Sequence, residues 1–318
     1  MNDNEDFLWV NKYRPTTVED CILPDRIKAP FLNFVKDGAM PHLLLTGTAG
    51  TGKTTIARAL CNDLGYESYL VNASKDRNLG VLQLLTTYAS TVSLTGKRKV
   101  IILDEADGLS ASNNSNAQAG LRALIEEFEN VRFILTANFK NKLIAPIQSR
   151  CANVEFNITS DEKETMMLKV LKRVFEILKK ENVKFDQKAV ADIVKKYYPD
   201  NRKTLMVLQQ YAAGGEIGAN VSKLLQGSNI DSLVGFMRER DLGSCRKWVA
   251  DNSDAELAQL YLDLYTRLYQ ELENDSKVDM ILLVSEYQDK ATRAINQEIN
   301  TMAFIASIFA LNFKKADA

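Results

Sequence analysis

The chain has 318 residues, 46% apolar and 25% charged, with 40 basic side chains against 41 acidic ones. This is the composition of a folded protein of two or three domains, and it excludes both a disordered chain and one that is basic as a whole. A single histidine, His42, and four cysteines without a CxxC pair exclude a multi-histidine metal centre, a zinc module and a disulfide framework, and fit free thiols in a reducing compartment.

In chain order, the acidic start Met1–Asp6 lacks the pattern of a signal peptide. Short apolar runs then recur at His42–Thr46, Tyr69–Val71, Val100–Leu103, Phe133–Leu135 and Val154–Phe156, as buried strands do. Between them Ile56, Leu60 and Leu64 mark one helix face, with Gly65 as its stop. Leu121, Leu124, Ile125 and Phe128 mark another. Alternating strand and helix predicts an α/β core, a parallel sheet covered on both faces.

Beyond about residue 158 the strand signal disappears. Thr159–Glu162 predicts a capping box opening a helix with Leu168, Leu171, Val174, Phe175 and Leu178 on its apolar face. A second helix carries Val190, Ile193, Val194 and Tyr197 up to Pro199. A third carries Leu205, Leu208 and Tyr211 up to Gly214–Gly215. From residue 229 the pattern is helical again, with long segments near 254–272 and 278–313. The apolar run Met302–Phe313 is too short to span a bilayer and predicts a buried helix. The expected division is a core over 1–157, a helical domain over 158–228 and a second helical domain over 229–318. A cytoplasmic protein without a membrane partner is expected.

Gly47–Thr54 reads Gly-Thr-Ala-Gly-Thr-Gly-Lys-Thr, the eight-residue phosphate-loop pattern, with a strand before it and a helix after it. Its glycines let backbone N–H groups curl around a β-phosphate, and the helix N-terminus adds partial positive charge. Lys53 supplies a point charge for the β- and γ-phosphates, and Thr54 a hydroxyl ligand for Mg²⁺. The strand ending at Leu103 is followed by Asp104, suited to hold Mg²⁺ directly or through water, and Glu105, suited to polarise an attacking water. A plain Gly-rich turn and an acidic helix cap are the alternatives, and the pairing of the two motifs disfavours both. Asn141–Ile144 lacks the final aspartate of a guanine-reading motif, so ATP is the expected nucleotide.

Further motifs accompany this pair. They are Trp9–Pro15 (WVNKYRP), Asp104–Asp107 (DEAD), Gln118 with Leu121, Arg122 and Glu126, Leu135–Cys151 with its Pro-Ile-Gln-Ser-Arg-Cys ending, and Asp200–Leu205 (DNRKTL). Together they resemble the AAA+ sliding-clamp-loader ATPase subunits, those of tailed bacteriophages most closely and replication factor C small subunits next. The resemblance implies that Val10, Asn11, Lys12 and Tyr13 pack by the adenine together with the segment around Ile22. It places Gly50, Thr51, Gly52, Lys53, Thr54 and Thr55 around the phosphates, and makes Asn138 a sensor. Arg150 becomes an arginine finger acting in trans, and Arg202 a lid residue touching the γ-phosphate.

The family pattern implies a nucleotide core, a helical lid and a collar that oligomerises. The implied activity is a Mg²⁺-dependent ATPase that opens a ring-shaped clamp and places it on primer–template DNA. The implied partners are that sliding clamp, a non-identical loader subunit, further copies of the chain and the DNA, in the host cytoplasm if phage-encoded. Lys75 and Arg77, just before a helix, are expected DNA contacts, with a solvated charge cluster as the alternative. Thr48–Ala49 stands where the family usually has two prolines, and Pro199 where glycine is common, but no charged group is lost. Two rival readings are a non-hydrolysing structural subunit and another AAA+ machine, such as a helicase loader or branch-migration motor. Intact Lys53, Asp104, Glu105 and Arg150 oppose the first, and the Trp9–Pro15 arm with the Ser-Arg-Cys string opposes the second.

Overall fold

The structure, a computed structural model, describes residues 7–73, 79–93, 96–110, 115–218, 230–252 and 257–314. Contacts divide the chain into two compact units, Met1–Val221 and Ser222–Ala318.

The first unit is built on five parallel strands in the order β2-β3-β4-β1-β5. They are β1 (Leu43–Thr46), β2 (Glu67–Asn72), β3 (Lys99–Asp104), β4 (Val131–Ala137) and β5 (Ala152–Glu155). Every predicted strand is present. Strand periodicity sends alternate side chains to opposite faces. Leu43, Leu45, Val100, Ile102 and Ile134 therefore meet Phe31, Ile56 and Leu60 on one face. Leu44, Ile101, Leu103, Phe133 and Leu135 meet Val81, Leu85, Leu121 and Ile125 on the other. The covering helices are α2 (Asp25–Asp37) and α3 (Lys53–Asp63) on the first face, α4 (Leu79–Ser90) and α5 (Ser115–Glu127) on the second. Cover on both faces is why β1 and β3 are apolar almost without interruption.

Three further helices belong to the same unit: α7 (Ser160–Lys180), α8 (Gln187–Tyr197) and α9 (Asn201–Ala212). The Thr159–Glu162 capping box forms as predicted. Two details differ from the sequence reading. The buried row of α7 is Met166, Val170, Val174, Ile177 and Leu178, while Leu168 is 51% exposed. Strand structure also does not end at residue 158, because Lys184–Phe185 and Glu216–Ile217 pair in parallel. Two residues are too few to carry a periodicity.

The second unit is helical among its described residues: Ile230–Glu239, Leu242–Asp251, Leu257–Glu271, Asn274–Ala291 and Gln297–Ile308. Tyr261, Leu264, Leu268, Met280, Phe304 and Ile308 form its core. The single long segment expected over 278–313 is two helices. Asn296 caps the second by accepting from the Ile299 N–H at 3.0 Å. No helix among the described residues is long and apolar enough to cross a membrane.

Candidate active site

Parallel pairing brings the C-terminal ends of β1, β3 and β4 side by side, with Thr46 level with Ala137, and Leu103 level with Leu135. Open parallel sheets bind ligands at this edge, because the loops leaving adjacent strands meet there. The loop after β1 curls back over the sheet. A Cβ on Gly47 would lie 2.9 Å from Cβ of Phe156, and Gly47 has φ +145°, so a side chain here is excluded twice. Gly50 has φ +75°, and a Cβ there would meet Asp200 Oδ1 at 2.0 Å. The loop thus lies against the first residues of α9, and the Asn201 N–H donates to the Gly50 carbonyl at 3.3 Å.

Lys53, at the first turn of α3, is buried. Its ammonium donates to the carbonyls of Gly47 (2.7 Å) and Thr48 (2.8 Å) and to Asn138 Oδ1 (3.0 Å). Burial lowers its pKa, and Asp104 and Asp107 counter that shift. Asp104 Oδ1 accepts from Thr54 Oγ1 at 2.7 Å and from Thr136 Oγ1 at 2.6 Å. Thr136 Oγ1 in turn accepts from the Glu105 N–H at 3.0 Å. Glu105 has φ +55°, a left-handed backbone that a residue with a side chain adopts at a cost of about 1 kcal/mol or more. The strained turn and the Thr136 bond aim two successive carboxylates differently: Asp104 to the loop, Glu105 to Asn72 Nδ2 at 3.5 Å. Asp107 accepts the backbone N–H groups of Asn138 (3.2 Å) and Phe139 (3.1 Å), which fixes the β4 end that carries Asn138.

The segment Trp9–Lys12 forms a short helix, α1. It is tied to α9, since the Trp9 N–H donates to Gln209 Oε1 at 3.0 Å and Gln209 Nε2 to the Phe7 carbonyl at 2.6 Å. At the end of α7, Glu181 pairs with Lys12 at 2.9 Å and accepts from the Tyr13 hydroxyl. Burial, then that carboxylate, push the Tyr13 phenol up to about 12.

Loop, strand ends, arm and helices enclose a cavity of about 390 Å³, within the range of small-molecule sites. Val10, Tyr13, Ile22, Gly50, Thr51, Gly52, Lys53, Thr54, Thr55, Asp104, Glu105, Asn138 and Arg202 all line it. Asn11 and Lys12 do not: both are exposed, Asn11 holding Arg14 at 2.9 Å and Lys12 paired with Glu181. The sequence reading missed Asn72, Thr136 and Arg173, which also line the cavity, and of the lining apolar row Val170, Val174 and Ile177 it named only Val174, as a helix-face residue and not as part of the site. The i, i+4, i+7 spacing of that row was the available signal.

Arg150 is elsewhere. It follows α6 (Ala145–Gln148), donates to the Pro146 carbonyl at 2.8 Å and pairs with Glu126. Lys75 and Arg77 lie outside the described residues. All four cysteines are buried and unpaired, and burial raises their thiols to about 11 or 12, which leaves them inert. Among the described residues no group of three or more His, Cys, Asp or Glu side chains is placed to hold a metal. The Thr54–Asp104 pair is the donor set that Mg²⁺ uses when phosphates and water complete its shell.

Residues 43–158 match the family model for the ATPase family associated with various cellular activities (AAA). Residues 162–222 match the model for the sliding-clamp-loader large subunit, AAA+ ATPase lid domain. The chain is 37% identical to the sliding-clamp-loader large subunit of Escherichia phage RB69, over 79% of this chain and 81% of that one. It is 34% identical to the same subunit of Enterobacteria phage T4, over 94% of both chains. Identity to the replication factor C small subunit of Saccharolobus solfataricus is 40%, over 67% of this chain and 64% of that one. Among solved structures, the RuvB Holliday junction branch migration motor of Thermotoga maritima matches with a TM-score of 0.55 at 16% identity, over 81% of this chain and 80% of that one. At that identity the likeness concerns the fold.

Proposed function

The chain belongs to the sliding-clamp-loader ATPase family, and from that premise we propose that it is the ATP-hydrolysing subunit of a loader that opens a sliding clamp and places it on primer–template DNA. Its partners in this reading are the clamp, a non-identical loader subunit, further copies of itself and the DNA. Residues 1–157 act as nucleotide core, 158–228 as lid and 229–318 as oligomerising collar.

Lys53, the loop N–H groups and Arg202 hold the triphosphate, with Val10, Tyr13 and Ile22 beside the base. Thr54 and Asp104 hold Mg²⁺, which when bound neutralises charge developing on the phosphates. Glu105 orients and polarises the attacking water, and Asn138, which already touches the Lys53 ammonium, reports on the γ-phosphate end. The loop lies against α9, so a triphosphate held by Lys53 and Arg202 joins core to lid.

One observation carries the proposal: Arg150 is absent from the cavity of its own chain and is held by Pro146 and Glu126. In this reading the Arg150 of a neighbouring subunit completes the site, which makes hydrolysis a property of the assembly. A finger supplied in trans changes the rate by roughly 10³- to 10⁵-fold. The test is ATP turnover by the chain alone, then with partner subunit, clamp and primed DNA added in turn. Strong stimulation by clamp and DNA is expected. Turnover indifferent to the clamp would favour another AAA+ machine, and a silent full assembly a structural subunit.

A further inference from the structure

Arg122 and Glu126 sit one turn apart on α5, and Arg150 reaches the same carboxylate from the turn after α6. Glu126 Oε1 accepts from Arg122 Nε at 3.3 Å and pairs with the Arg150 guanidinium, which also donates Nη1 to the Pro146 carbonyl. None of the three side chains lines the cavity, and all remain accessible at 31–46% exposure. A guanidinium is planar, with five N–H donors in fixed directions, so two acceptors on separate elements determine its plane. Pro146 and Glu126 are two such acceptors. They leave most of the donors of Arg150 for a further anion. Because Glu126 is one carboxylate between two guanidinium groups, the cluster keeps a net positive charge.

We propose that Glu126 is a positioning residue for the trans-acting arginine, orienting Arg150 toward the neighbouring subunit's triphosphate before the two subunits meet. This rests on the finger reading of Arg150. An unrestrained arginine must freeze several side-chain torsions to reach a phosphate, whereas one already held loses less on doing so. The carboxylate is therefore felt in the rate at the neighbour's site and not in nucleotide binding by its own chain.

The test compares Glu126→Ala and Glu126→Gln with Arg150→Ala in the assembly of chain, partner subunit, clamp and primed DNA. Glu126→Ala is expected to lower kcat about two- to fivefold, the scale of a partly exposed ion pair, with KM for ATP unchanged. Glu126→Gln is expected to recover part of it, since the amide oxygen still accepts from a guanidinium. Adding Glu126→Ala to a Lys53→Ala chain, and mixing that chain with unaltered chains, places the loss at sites whose own residues are intact. A Glu126→Ala assembly as fast as the unaltered one, or faster, overturns the proposal, the faster outcome showing a restraint. Equal loss in the Ala and Gln variants with a reduced assembly mass shows a structural role and also overturns it. If Arg150→Ala itself leaves turnover intact, the finger reading falls and takes Glu126 with it. If only Arg150→Ala slows turnover, Glu126 alone is refuted.

Discussion

The two units of this chain differ in where their sequence carries information. In the first, polar side chains around the strand ends have assigned partners: Lys53 with two loop carbonyls and Asn138, Asp104 with Thr54 and Thr136, Asp107 with two backbone N–H groups. In the second, the core is a set of apolar contacts among helices, such as the edge-on packing of Phe304 against Tyr261 and Tyr287. Particular atoms are irreplaceable in the first case, whereas volume and pattern suffice in the second. Chemistry is therefore readable residue by residue in one unit, and only as helical content in the other.

That contrast breaks if substitutions in the two units have similar consequences. The largest effect is expected for Lys53→Ala, which removes the cation nearest the loop. Hydrolysis should be abolished and ATP affinity reduced, checked by turnover and by titration with a fluorescent nucleotide. Glu105→Gln should slow turnover by roughly 10²- to 10⁴-fold while leaving ATP binding intact, since the amide holds a water without polarising it. Loss of binding rather than turnover in that variant assigns Glu105 a different role. In the second unit, Phe304→Ala should cost about 3–5 kcal/mol of stability in denaturant unfolding, with ATP affinity of the isolated chain unchanged.

The smallest effect sharpens the comparison inside the first unit. His42 accepts the Phe133 N–H through Nδ1 at 3.1 Å, and burial, then Arg132, lower its pKa below 6.5. The folded state disfavours the imidazolium. The stability this contributes is full above pH 6.5 and is lost as pH falls through the folded pKa. Since His42 is the only histidine, its single imidazole signal in an NMR titration reads that value directly. A midpoint at or above 6.5 contradicts the half-buried, neutral ring.

Much of the fold was legible because burial on both faces makes β1, β3 and β4 nearly continuous apolar runs, and because the phosphate loop must have glycines where backbone and neighbours leave no room. What was not legible has identifiable causes. Helix α2 holds Pro30 in its interior, which reads as a break. Helix α7 offers two apolar rows, one through Leu168 and one through Met166, and only packing chooses between them. The break before Gln297 rests on a single capping side chain, Asn296. At the site, loop and carboxylates follow from local sequence. The arm's ties to Gln209 and Glu181 span 168–202 residues, and Asn72, Thr136 and Arg173 enter through strand register and helix docking. No local pattern announces contacts of that kind.

The central claim is that each site is completed by the next subunit's Arg150, and mixing two inactive variants tests it most directly. Arg150→Ala chains keep an intact nucleotide site, and Lys53→Ala chains keep an intact finger. Assembled together with partner subunit, clamp and primed DNA, they should regain activity wherever an intact site faces an intact finger, well above either variant alone. A mixed assembly of verified mass with no activity beyond its parents would contradict the account, because an arginine acting within its own chain leaves neither variant a whole site.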